Sequence, residues 1–138
     1  MSTIKLEVVT PRRLVMAEDV EMVIARGSEG ELGILPQHAP LVTPLVVAPL
    51  KVKAGGKWEE LAVAGGYLEV VPNQVTVLAN TAERVGEIDV DRAKSARDRA
   101  EERKQGRRDG EEVDLARAEA ALKRALMRLR VAGEKTER

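Results

Sequence analysis

The chain changes period close to residue 85, and that change limits what it can fold into. Upstream, apolar and polar residues alternate over short runs. Ile4, Leu6 and Val8 alternate with Lys5, Glu7 and Val9. Val20, Met22 and Ile24 alternate with Glu21, Val23 and Ala25, and Leu50 and Val52 with Lys51 and Lys53. A period of two marks a half-buried strand, because successive side chains of an extended chain point to opposite faces. Gly55-Gly56 predicts a reversal that brings Trp58 to Ala64 back beside the preceding run. Gly65-Gly66 in mid-run indicates a bulge or a close backbone approach. Tyr67 to Val71 and Gln74 to Ala79 pair across Pro72-Asn73. Many short strands with no helical segment between them predict an antiparallel β-sandwich or barrel over residues 1–84.

Downstream the grammar is helical. Residues 88–105 and 111–132 are rich in Ala, Arg and Glu, all strong helix formers. Asp89 is placed to cap the first helix. Gly106 and Gly110 bracket Arg107-Arg108-Asp109, a break that lets two helices fold back on each other. The expected architecture is therefore β + α: an N-terminal sandwich, then a C-terminal two-helix antiparallel hairpin over residues 85–138. Leu115, Leu122, Leu126 and Leu129 predict an apolar stripe on the second helix, whereas the first offers mainly Ala93, Ala96 and Ala100. At roughly 25 cal/mol per Å² of buried apolar surface, an alanine stripe contributes far less than a leucine stripe. A few kcal/mol from a ligand or partner then decides between a closed hairpin and opened helices. The alternative is a permanently packed pair.

Charge placement sharpens this. Arg92, Arg99 and Arg103 repeat at helical spacing, and Arg117, Arg124 and Arg128 do the same on the second helix, opposite the expected leucine stripe. If the hairpin closes so that these rows meet, the guanidinium groups repel unless an anion lies between them. The competing reading is a solvated face balanced by Asp98, Glu101 and Glu119.

Composition removes several classes of function. Lys plus Arg and Asp plus Glu are 23 each, so the net charge is zero, and a nucleic-acid partner is not expected. With one Trp, one Tyr and no Phe, there is little to stack on bases. The absence of Cys excludes disulfides and thiol catalysis, and a single His excludes a histidine cluster for a transition metal. No Walker-type glycine loop implies an ATPase, and no two carboxylates define a cleft for hydrolytic chemistry. No catalytic residue, metal ligand or required cofactor is expected. No signal peptide is expected, and no run reaches the roughly 20 apolar residues of a membrane span, so membrane association is expected only through other proteins.

The segments "VVTP", "GELGILPQHAPLVTPL", "VAGGYLEV", "VTVLA" and "IDVDRA", in that order along nearly the whole chain, resemble the epsilon subunit of bacterial F-type ATP synthases. The resemblance implies a non-catalytic central-stalk subunit, peripheral on the cytoplasmic side of the bacterial cell membrane. It implies a sandwich that docks on the gamma subunit and on the polar loops of the c-ring. It also implies mobile C-terminal helices that block ATP hydrolysis when extended toward the alpha and beta subunits. In some members ATP binds and favours the folded hairpin. That family motif stands here as Ile88-Asp89-Val90-Asp91-Arg92-Ala93. The resemblance assigns adenine contacts to Ile88, Asp89 and Glu83, and phosphate contacts to Arg92, Arg99, Arg124 and Arg128, with Ala93 in the motif. The segment from Lys104 to Glu112 is longer and richer in Gly than the family pattern.

The remaining motif is Glu31 to Leu41, "ELGILPQHAPL", which holds the single histidine between two prolines. Gly33, Pro36 and Pro40 restrict this loop, and a rigid apolar loop loses little entropy on docking. His38 has no nucleophile or second histidine near it in sequence, so catalysis is disfavoured. A plain hydrogen-bonded surface histidine and a docking residue remain, and the resemblance favours contact with gamma. It places Glu29 and Glu31 near the c-ring. Leu32 and Ile34 fit either the core or the docking surface. A free-standing nucleotide sensor is the reading from a different class, resting on the arginine rows alone.

Overall fold

The computed structural model describes residues 2–105 and 114–134. They form two units, Met1–Val85 and Gly86–Arg138. The first holds eight strands: β1 Ile4–Val9, β2 Leu14–Val20, β3 Met22–Gly27, β4 Gly30–Ile34, β5 Leu41–Ala54, β6 Lys57–Val71, β7 Gln74–Ala79 and β8 Ala82–Arg84. They form a β-sandwich built from one continuous sheet of order β2-β1-β7-β6-β5-β3-β4, with β8 attached to β6. The core is almost entirely aliphatic. Leu6, Val8, Val20, Val23, Ile34, Leu61, Leu68, Val75 and Val77 are fully buried, and no buried residue among those described is polar. Each such side chain contributes roughly 1.5–3 kcal/mol over its exposed state, which offsets the ordering of a chain poor in aromatics.

Four departures from the sequence reading have physical causes. Val20 and Met22 do not share a strand. The chain bends at Glu21, whose N–H donates to Lys53 O at 2.7 Å and whose carboxylate accepts from Gly56 N–H at 2.8 Å. Val20 therefore closes β2, and the buried parity of β3 is Val23 and Ala25 rather than Met22 and Ile24. Second, one pair departs from the antiparallel rule: β1 runs parallel to β7, with Leu6 opposite Val75 and Val8 opposite Val77. A parallel pair needs a long connection, and here the whole β2–β6 segment supplies it. Third, the runs around Trp58 and Tyr67 are one strand. β6 has 15 residues and β5 has 14, against a usual strand of roughly 5–6. The two halves of β6 serve different neighbours, β8 and then β7. Fourth, β5 begins at Leu41, well before Leu50. Pro49 falls where the β3–β5 register shifts between Ile24 and Gly27, so its missing N–H leaves no gap in the ladder.

The glycine pairs behave as their positions require. Gly55 and Gly56 both have positive φ (58° and 75°), as a two-residue hairpin turn demands, and join Ala54 to Lys57. At Gly66 a close approach decides the residue: a Cβ built there would lie 2.1 Å from the Leu78 carbonyl oxygen, a backbone atom that cannot rotate away.

The second unit holds two helices, α1 Val90–Lys104 and α2 Leu115–Val131, preceded by a single 3₁₀ turn at Val85–Glu87. Asp89 caps α1, accepting from Arg92 N–H at 3.0 Å, so the helix begins two residues after the expected Ile88. Asp114 caps α2 in the same way through Arg117 N–H at 3.1 Å, which sets its start at Leu115. The expected start at Glu111, the break from Gly106 to Gly110 and most of the Lys104–Glu112 segment lie outside the described residues. α2 closes with paired bonds from Gly133 N–H to Arg130 O and from Glu134 N–H to Leu129 O, at 3.0 and 2.9 Å.

The expected leucine stripe is corrected. Leu129 is fully buried, but Leu115 is 53 % exposed, and Leu122 and Leu126 are only half-buried. The buried residues of α2 are Ala118, Ala125, Met127, Leu129 and Val131, and Ala118 and Ala125 repeat the seven-residue spacing of Ala93 and Ala100 on α1. Helices touching along small residues approach closely, which pushes longer side chains to the flanks of the seam.

Candidate functional site

Two surfaces carry residues that core packing does not explain. The first is on the outward face of the sheet. Directly paired residues share a face, and the registers place Pro44, Tyr67, Leu78, Val9 and Leu14 in one row across β5, β6, β7, β1 and β2. Tyr67, Leu78 and Leu14 are each more than half exposed, and Val42 beside them is 67 % exposed. The neighbouring row is Val42, Glu69, Thr76, Glu7 and Ala17, so a continuous apolar band borders a line with two carboxylates. Contiguous apolar surface of this kind marks an interaction site far better than scattered single residues do.

The Glu29 turn lies against this band, because Ser28 N–H donates to Pro44 O at 3.2 Å. Glu31 is on β4 and reaches Arg26 at 3.7 Å. Half of the proline-flanked segment is therefore strand, with Ile34 in the core and Leu32 packed against it. Only Leu35 to Pro40 forms a loop. Gln37 has a positive φ of 66° and donates its N–H to Pro72 O at 3.2 Å. The His38 Nδ1 lies 2.7 Å from the Ala39 carbonyl oxygen, its N–H donates to Leu35 O at 3.1 Å, and Leu35 is 54 % exposed. His38 is thus tied to its own loop and poorly placed for chemistry.

The band escaped the sequence reading, although a signal was present. Val8-Val9, Val77-Leu78 and the Tyr67 position put apolar residues on both parities of strands whose other outward positions are polar. One parity feeds the core; the other has to be covered by something else.

The second surface is on the helical pair. Lys94 on α1 reaches Glu134, just past α2, at 3.6 Å, so the helices run antiparallel. When the buried alanine lines of two antiparallel helices face each other, the residues just before and three after each alanine fall on the same side of the pair. Arg92 and Arg99 precede Ala93 and Ala100, Arg124 precedes Ala125, and Arg128 follows it by three. The arginine rows therefore flank the seam on one common side; those of α2 do not lie opposite its buried line, as the sequence reading had it. Arg92, Arg99 and Arg124 are exposed, and among the described residues no ion pair engages them. Ala93 is fully buried in the seam, and Ile88 is buried just ahead of the Asp89 cap. Glu83, the remaining candidate, belongs to the sandwich unit, opposite Ala62 of β6.

No group of His, Cys, Asp or Glu able to hold a metal ion occurs among the described residues. Among the described residues no helix is long and apolar enough to cross a membrane. What the two units offer is an exposed apolar band and a row of guanidinium groups, of which Arg92, Arg99 and Arg124 have no ion pair among the described residues.

Comparison with known proteins places this architecture. Residues 3–85 match the family model of the ATP synthase delta/epsilon chain β-sandwich domain, and residues 87–133 that of its long α-helix domain. A sandwich followed by a helical pair is thus the common plan of a class of ATP synthase subunits. The chain is 50 % identical over 130 residues to the ATP synthase epsilon chain of Desulforamulus reducens, covering 94 % of this chain and 97 % of that one. It is 51 % identical over 134 residues to that of Bacillus pumilus, covering 97 % and 100 %. A subunit of the Euglena gracilis mitochondrial ATP synthase superposes with a TM-score of 0.74 at 26 % identity, over 89 % of this chain and 77 % of that one. The chain belongs to the epsilon-subunit family of the ATP synthases, a family of non-catalytic stalk subunits.

Proposed function

We propose that the sandwich docks on the gamma subunit through the band Pro44–Tyr67–Leu78–Val9–Leu14, extended by the His38 loop, with Glu29 and Glu31 turned to the polar loops of the c-ring. The exposed apolar row carries this reading. A band crossing five strands is costly to leave in water, and covering it stabilises an assembly. The solved Euglena structure that this chain resembles contains F1 and c-ring, which is the setting such a surface fits. Attachment is then peripheral, on the cytoplasmic side of a bacterial membrane and through the complex alone. Capture of a gamma-containing complex by wild type, lost in Tyr67→Asp and Leu78→Asp with the fold intact, supports the assignment; undiminished capture by both variants overturns it.

The helical pair is the regulatory half of the same reading. Opened and extended toward alpha and beta, it inhibits ATP hydrolysis; closed, it permits turnover. ATP stabilises the closed pair by placing its phosphates among Arg92, Arg99, Arg124 and Arg128, with Ile88 and Asp89 at the adenine. The supporting observation is the common side on which these arginines fall, three of them without an ion pair among the described residues. Glu83 enters on family resemblance alone. Calorimetric titration with ATP tests the ligand. Isotherms of wild type and Arg92→Ala that coincide remove ATP from the scheme, while hydrolysis that does not rise when residues from Val85 onward are deleted removes the inhibitory tail.

A further inference from the structure

Strand β8 is short, with three residues, and pairs with β6 off the main path of the sheet. A ladder of that length is among the first pieces of a sheet to open. It is also the last sandwich element before the 3₁₀ turn and α1, so its attachment decides where the tether to the helices begins. Ala82 anchors one end in the core. Arg84 anchors the other. Its Nε and Nη2 each donate to the Glu59 carboxylate at 2.8 Å, and its Nη1 donates to Glu18 Oε2 at 3.1 Å. Glu59 is on β6 and Glu18 on the edge strand β2, so one guanidinium joins three strands. The Glu59 hydrogen bonds raise the Arg84 pKa despite the opposing effect of burial. Isolated surface ion pairs contribute little, but a bidentate fork shared with a second carboxylate is the arrangement that holds.

We propose that the Arg84–Glu59–Glu18 cluster is a releasable lock on the root of the helical unit: closed, it keeps the tether short, and open, it frees β8 and lengthens the reach of the helices. Release adds three residues of extended chain, roughly 10 Å. The regulatory consequence rests on the tail reading above; the lock itself does not.

Hydrogen exchange on the full chain tests the lock. In Glu59→Gln and Arg84→Gln the β8 amides are expected to exchange roughly tenfold faster, the factor set by one charge-assisted hydrogen bond, with β1 and β7 unchanged. Added salt accelerates β8 exchange in wild type but not in Arg84→Gln, a response that packing alone would not give. Wild-type exchange of β8 in both variants overturns the lock. In the assembled synthase, Glu59→Gln is expected to lower ATP hydrolysis, and deletion from Val85 onward to erase the difference. β8 released with hydrolysis unchanged, while the Val85 deletion still raises it, keeps the lock and overturns its control of the helices; a deletion that raises nothing defeats the tail reading instead.

Discussion

The two units differ in what holds them, and the difference matches their proposed duties. The sandwich is stabilised by large aliphatic side chains at zero exposure, drawn from strands far apart in sequence. Among the described residues the two helices bury four alanines, and the larger buried side chains, Met127, Leu129 and Val131, all belong to the last turns of α2. Its ends are secured by local devices: two aspartate caps and one exposed ion pair. A scaffold that docks needs one stable shape. A pair that opens and closes needs an interface worth only what a ligand or partner can repay. The aromatic residues make the contrast measurable. Trp58 and Tyr67 both lie in the sandwich and residues 86–138 hold none, so fluorescence follows one unit and helical ellipticity the other.

The largest effect is expected in the sandwich. Leu6→Ala removes a fully buried side chain between β2 and β7 and should cost about 2–5 kcal/mol. Chemical denaturation followed by Trp58 fluorescence reads it, with the helical signal shifting much less. If both probes shift together by that amount, the units unfold as one and the comparison fails.

The seam gives the next effect. Ala100→Leu forces four carbons into a contact that now holds a methyl group, at about 1–3 kcal/mol. Helical ellipticity should melt earlier while fluorescence is unchanged. The assembled synthase should hydrolyse ATP more slowly, because the closed pair is disfavoured.

The legibility of the chain followed the same division. Period-two runs and the Gly55-Gly56 turn revealed most of the sandwich, because each strand is half-buried and alternation survives. Alternation failed where topology overruled local pattern. Pro44 and Pro49 hid the first half of β5, and β8 is too short to show a period. The parallel β1–β7 pair is a matter of connectivity that no local pattern encodes. On the helices the arginine rows, the Asp89 cap and the α1 side of the seam, Ala93 and Ala100, were visible, but its α2 side was not. Leucine is the stronger apolar signal, yet closest approach selects alanine, so Ala118 and Ala125 took the place given to Leu115 and Leu122. The exposed apolar band was missed because a strand with both parities apolar reads as better-buried strand, not as two different faces.

The Asp89 cap separates structure from ligand at a smaller magnitude. Asp89→Ala removes the bond to Arg92 N–H and should cost the helical unit about 1 kcal/mol. Asp89→Asn keeps the cap, since asparagine caps as well as aspartate, and should leave helical melting within a few tenths of a kcal/mol. If Asp89 also holds ATP through its charge, both variants bind the nucleotide more weakly despite this difference in stability. ATP binding that tracks helix stability instead would reduce Asp89 to a cap.

The smallest effect tests whether the open end of the hairpin is clasped at all. Lys94 and Glu134 meet at 3.6 Å, but their side chains remain 44 % and 41 % exposed. Water and salt screen such a pair, and ordering two long side chains opposes it, so a double-mutant cycle between Lys94→Ala and Glu134→Ala should yield only about 0.2–1 kcal/mol. The coupling should shrink further as salt is added. A value well above that range would mean that the pair, rather than the alanine seam, keeps the helices together. Opening would then respond to ionic strength more than to a ligand among the arginines, and the contrast between a packed scaffold and a ligand-poised clasp would have to be redrawn around this one contact.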